Sequence, residues 1–163
     1  MLTISNITKT FNLGSVNEKL ALDGVTLHLK AGDFVTIIGS NGAGKSSLMN
    51  VISGVLTLDQ GSIIIDNEDV TFLPEHRRAK DIGRVFQDPM MGTAANMTIE
   101  ENLVLALKRG QKRFFKKAIT YKEREVFREK LKFLELGLEK NLQQKAGLLE
   151  EDSARPLPLL WLV

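Results

Sequence analysis

Apolar and polar positions alternate from the first residues. In MLTISNITKTF, Leu2, Ile4 and Ile7 stand among polar neighbours, which predicts a half-buried strand. Residues 20–33 repeat the pattern, with Val25, Leu27 and Leu29 on one face and KAGD as a turn. FVTIIG, residues 34–39, is a nearly continuous β-branched run and predicts a fully buried central strand. Past a glycine-rich loop, Leu48, Met49, Ile52 and Val55 recur at helical spacing and predict a helix facing a core. GSIIIDNEDVTFL returns to strand, and IGRVFQD reads as another short one. MTIEENLVLALKR predicts a helix: Thr98 followed by Glu101 is a capping box, and Leu103 and Leu107 share a face. From Tyr121 a second helix follows. Phe127, Leu131, Leu134 and Leu138 fall at i, i+4, i+7 and i+11, and Gly137 weakens its end.

Composition narrows the class. Hydrophobic residues make up 43% and charged residues 26% of 163, which fits a folded globular chain and not a disordered one. There is no cysteine, which excludes a disulfide framework and a thiolate metal site. The amino-terminal stretch lacks a basic head followed by an apolar core, so no signal peptide is expected. No run of about 18 apolar residues occurs, so the chain is not expected to span a membrane by itself, and a cytosolic location is expected. The net charge of +2 is uninformative, but its distribution is not. Residues 108–132 hold 11 basic side chains against 3 acidic ones. They read either as a solvated helix face with a flexible hairpin or as a contact for an acidic partner or anionic lipid head groups.

The chemistry concentrates in one loop. Gly39, Ser40, Asn41, Gly42, Ala43, Gly44, Lys45 and Ser46 match G-x-x-x-x-G-K-[ST], between a predicted strand and a predicted helix. A backbone that wraps a polyphosphate must turn its N–H groups inward, and glycine permits those angles without a Cβ clash. The helix that starts near Gly44 aims its positive end at the phosphates. Lys45 adds a full charge near the β and γ phosphates, the Ser46 hydroxyl can ligate Mg²⁺, and Ser47 can donate a further hydrogen bond. Nucleotide binding is the inference this loop carries.

With these motifs in order, residues 1–149 resemble the ATP-binding subunit of an ABC transporter. The passage LDGVTLHLKAGDFVTIIGSNGAGKSSLMNVISG carries most of the resemblance, and GSIIIDNEDVT resembles the strand pair that follows. Phe11 sits where the family places an aromatic that stacks on adenine; by itself it also reads as a core aromatic. IGRVFQDP resembles the family's glutamine loop, which makes Gln87 the expected contact for Mg²⁺ and the attacking water. MTIEENLVLAL resembles the opening of the helical subdomain that receives the membrane subunit. The resemblance implies an α/β fold: a P-loop core sheet with an N-terminal antiparallel β portion and the start of a helical subdomain. It implies ATP and Mg²⁺ as cofactors, an integral membrane permease and a second ATP-binding subunit (a homodimer in the full-length form) as partners, and no nucleic acid. The implied location is peripheral, on the cytoplasmic face of the cell membrane.

The departures are as informative. After KAGLL the family places an LSGGQ signature helix, an apolar strand ending in Asp-Glu and a switch histidine; none is found here. His28 and His76 read as surface or strand residues, and the acidic runs at 66–68 and 150–152 follow no suitable apolar strand. Residues 150–163, EEDSARPLPLLWLV, cannot continue the expected helix. One legitimate set of codons from Glu150, read from its third base, encodes GGQRQALTLAMAS, the body of such a signature helix. A base lost near Glu150, with a truncated product, is one reading; a natural truncation and a sequencing error are the alternatives. Two functions follow: an energy-coupling ATPase subunit of which this chain is a fragment, or a non-enzymatic nucleotide-binding module that docks on a membrane protein. A different P-loop enzyme, such as a kinase, is disfavoured by the positions of Phe11 and Gln87.

Overall fold

The structure, a computed structural model, describes residues 1–86, 88–111, 119–133, 135 and 137–149. Gln87, Leu134, residues 112–118 of the basic stretch and the tail at 150–163 lie outside the described residues. The chain divides into two compact units, Met1–Ile82 and Gly83–Val163.

The first unit is built on a four-stranded antiparallel sheet. Strands β1 (Leu2–Phe11), β2 (Lys19–Leu29), β3 (Gln60–Ile65) and β4 (Glu68–Asp69) lie in the order β2-β1-β3-β4. Ile4 and Ile7 are both fully buried although three residues apart, which strict alternation forbids. A register shift between them resolves this: Asn6 takes φ 49° and adds a residue to β1. Gly61 is required opposite, because a Cβ there would stand 2.5 Å from the carbonyl oxygens of Ser5 and Asn6. Asp66 and Asn67, at φ 46° and 67°, form the two-residue turn that joins β3 to β4. Helix α1 (Lys45–Ser53) lays Leu48 and Val51 on the core with Ile4, Ile7, Leu22, Leu58, Ile63 and Val70. A short helix, α2 (Glu75–Arg78), follows.

The second unit pairs helix α3 (Ile99–Leu107) with helix α4 (Tyr121–Lys132). Ile99, Leu103, Val104, Phe127 and Leu131 form its core with Leu138 and Leu142. The predicted capping box of Thr98 and Glu101 is present, and Thr120 with Glu123 makes a second that was not anticipated. Glu100 is buried and accepts from Arg124 Nε at 2.7 Å and Nη2 at 3.0 Å, so the two helices are tied by a forked ion pair.

Several expectations are corrected. Residues 34–39 form no strand, and Phe34 and Ile38 are 95% and 89% exposed instead of buried. A central strand needs neighbours on both sides for its N–H and C=O groups, and no described strand pairs with this run. IGRVF likewise makes no strand, and Val85 is half-exposed. Met49 on α1 faces away from the core and Val55 is half-exposed, while Val51 is buried in the core. The helix ends at Ser53 with Gly54 left-handed, so Val55 lies beyond the face that the spacing implied. Leu107 is half-exposed at the end of α3, and Leu138 reaches the core from a short 3-10 turn (Leu138–Lys140) instead of from α4.

Candidate functional site

The glycine-rich loop and one end of the β1–β2 hairpin enclose a cavity of about 290 Å³. Its floor is the start of α1. Gly44 is the residue before the helix, at φ 84°, and a Cβ there would approach the Ala21 carbonyl oxygen to 2.3 Å. Gly42 is also left-handed, at φ 86°. These two positions therefore admit no ordinary side chain, and the loop folds tightly against β2. A turn closes it, with Ala43 N–H donating to Ser40 O at 3.2 Å.

Lys45 does not project freely. Its Nζ donates to Gly39 O at 2.7 Å and Ser40 O at 2.8 Å, so the ammonium is held by the backbone of its own loop. Ser46 and Ser47 open the helix on the cavity side and line it with Asn41, Gly42 and Ala43. The first-turn N–H groups of α1 have no acidic residue beside them. The cavity thus collects helix-terminal N–H groups, two hydroxyls and ammonium charge, a set suited to a phosphate-bearing anion.

Phe11 ends β1 and lines the same cavity, so the one predicted aromatic lies beside the loop. Its strand end is anchored by Asp59, whose carboxylate accepts from Lys9 Nζ at 2.8 Å and Thr10 N at 2.6 Å. Those donors, Lys9 first, hold the Asp59 carboxyl below the usual carboxylate range. The Lys9 ammonium also stands 5.9 Å from the centre of the Phe11 ring. Gly39 and Ser40 act through their carbonyls on Lys45. Gln87 lies outside the described residues. Sequence reasoning missed Lys19 and Ala21, both of which line the cavity. The signal for Lys19 was the hairpin: closing MLTISNITKTF on the next strand sets Lys19 directly across from Phe11.

Among the described residues, no group of three or more His, Asp or Glu side chains converges to hold a metal ion. No helix is long and apolar enough to cross a membrane among them.

Comparison with known proteins follows the same line. Residues 22–151 match the ABC transporter family. The chain is 37% identical over 160 residues to a tyrosine transport ATP-binding protein of Clostridioides difficile, covering 98% of this chain and 63% of that one. It is 38% identical over 154 residues to a probable branched-chain amino acid transport ATP-binding protein of Methanocaldococcus jannaschii, covering 90% and 57%. The chain therefore spans about three-fifths of the length of these relatives. Among solved structures, it resembles an ATP-binding cassette captured as a dimer in a post-hydrolysis state with ADP and Pi. The TM-score is 0.78 at 28% identity, over 99% of this chain and 68% of that one. A second cassette of an ABC transporter, in its ADP conformation, gives a TM-score of 0.72 at 31% identity, over 99% and 63%.

Proposed function

The chain belongs to the ABC transporter family, and from that premise we propose that it is the nucleotide-gripping part of an ATP-binding subunit that couples ATP hydrolysis to solute transport. The observation that carries this reading is the shared cavity: Phe11 and the loop from Asn41 to Ser47 line one space. Phe11 offers a π face to the adenine. The loop N–H groups and the start of α1 receive the phosphates, and Lys45, oriented by Gly39 and Ser40, supplies a cation to them. Ser47 donates a further hydrogen bond.

The Ser46 hydroxyl is a hard oxygen donor in the first turn of α1 and would hold Mg²⁺ beside the phosphates. Gln87 is proposed as a further contact for the same ion and for the attacking water. Bound there, Mg²⁺ supplies charge neutralisation on the phosphate oxygens.

Residues 1–149 are read as the N-terminal part of the ATP-binding domain, and most of the family match over residues 22–151 falls within them. The partners are an integral membrane permease and a second ATP-binding subunit, at the cytoplasmic face of the membrane. A solved relative is a dimeric cassette, which supports the pairing. Turnover requires a base to take a proton from water, and among the described residues no carboxylate lines the cavity. The 163-residue chain is therefore expected to bind Mg-ATP without hydrolysing it. Calorimetric titration with Mg-ATP beside a phosphate-release assay tests this. Binding with release at background supports the reading; steady release abolished by Lys45→Ala, or no binding at all, overturns it.

A further inference from the structure

Among the described residues two ammonium groups, those of Lys45 and Lys19, line the nucleotide cavity. Lys45 is committed to two carbonyl oxygens of its own loop. Lys19 also lines the cavity, from the first residue of β2 and directly across from Phe11. Its Nζ rests 3.6 Å from the point where a Cβ on Gly42 would stand, so the charge lies against the middle of the phosphate loop. Among the described residues the Lys19 ammonium has neither a hydrogen-bond nor an ion-pair partner. None of those residues engages its three N–H donors, and among them no acidic side chain lines the cavity to neutralise either lysine.

We propose that Lys19 is a second phosphate-recognising cation of this site, acting on the phosphates common to ADP and ATP. The inference rests on the nucleotide reading above. Its geometry decides which phosphates are meant. Phe11 marks the base end of the cavity, and Lys19 is its cross-strand neighbour. Gly42 precedes α1 by three residues and stands in the middle of the loop, on its Phe11 side of the cavity lining. A cation placed between the aromatic and the loop meets the phosphates nearest the nucleoside. It therefore favours nucleoside di- and triphosphates alike over the bare nucleoside. Lys19 is exposed, so its attraction acts through water and is screened by salt.

The test is a set of calorimetric titrations of ATP and ADP into the full chain and its Lys19→Gln, Lys19→Glu and Lys19→Arg variants. Adenosine is measured by displacement of a fluorescent ADP analogue. Lys19→Gln should weaken ATP and ADP by a similar factor of about 3–10 at low salt, leave adenosine unchanged, and lose most of that difference at about 0.5 M salt. Lys19→Glu should weaken both further, and Lys19→Arg should restore them. Equal ATP and ADP affinities across all variants would overturn the proposal, as would a loss shared by adenosine or one confined to ATP. If the unsubstituted chain binds neither nucleotide, the nucleotide reading itself fails. If Lys45→Ala weakens binding while Lys19→Gln does not, the role of Lys19 alone is refuted.

Discussion

Replacing Arg78 with methionine should undo the helix that carries the phosphate loop. The Arg78 side chain is 2% exposed, and its guanidinium donates at 2.8–2.9 Å to the carbonyls of Val51, Ile52, Leu73 and Thr71. Val51 and Ile52 belong to the last turn of α1, where carbonyls lack partners within the helix and a cation is favoured. Burial lowers the Arg78 pKa, and the nearby Asp69 carboxylate offsets part of that. Val51 O keeps a second donor, Gly54 N–H at 3.2 Å, but the other three carbonyls lose a charge-assisted one. At about 1 kcal/mol or more for each, the loss is about 3–5 kcal/mol. With a urea dependence of about 1–2 kcal/mol per molar for a unit of this size, the unfolding midpoint should fall by roughly 2 M. Gly54 supplies a cross-check. A Cβ there would stand 2.9 Å from Arg78 Nε, so Gly54→Ala should cost less in the Arg78→Met background than alone. Urea titration followed by circular dichroism reads both. A midpoint shift under about 0.5 M for Arg78→Met would refute the reasoning.

Gly44→Ala should destabilise the first unit by about 2 kcal/mol or more, because it forces φ 84° on alanine and drives its Cβ to 2.3 Å from Ala21 O. Thermal unfolding checks this, and an unchanged melting temperature would count against the loop geometry. Thr98→Ala and Thr120→Ala should each cost about 1 kcal/mol, seen as faster amide exchange at the starts of α3 and α4. Asp59 predicts a pH dependence. Its folded-state pKa is depressed, so its contribution is present above the unfolded value, about pH 4, and is lost as the pH falls through the folded value. Acid unfolding of the Asp59→Asn variant should begin from lower stability and lose less between pH 5 and the acid limit, about pH 2.

The parts legible in the sequence are those set by local chemistry. The β1–β2 strands follow from alternation around Ile4, Ile7, Val25 and Leu27, and Thr98 with Glu101 marks a helix start within four residues. The phosphate loop is a contiguous motif whose glycine positions announce their backbone angles. What failed was non-local. FVTIIG has the composition of a buried strand, but burial depends on partner strands that its own sequence does not contain. The bulge at Asn6, which lets two residues three apart face one core, breaks the strict period of two. Arg78 drew no reading from the sequence, because its partners are carbonyls at positions 51, 52, 71 and 73 that carry no side-chain signal. Lys19 escaped for a related reason: its relevance comes from cross-strand register and not from a motif.

The central claim is that the loop from Gly39 to Ser47 grips a nucleotide's phosphates through Lys45. The most direct measurement is calorimetric titration of Mg-ATP into the 163-residue chain and into its Lys45→Ala variant, with urea unfolding of both as a control. Lys45 contributes charge to the cavity and touches carbonyls of its own loop, not the buried core. The account therefore predicts saturable binding that Lys45→Ala weakens about tenfold or more, the loss of a charge-assisted contact worth about 1.5–3 kcal/mol. The unfolding midpoints should remain close. Equal affinity in a folded Lys45→Ala variant, or no binding by the unsubstituted chain, would contradict it.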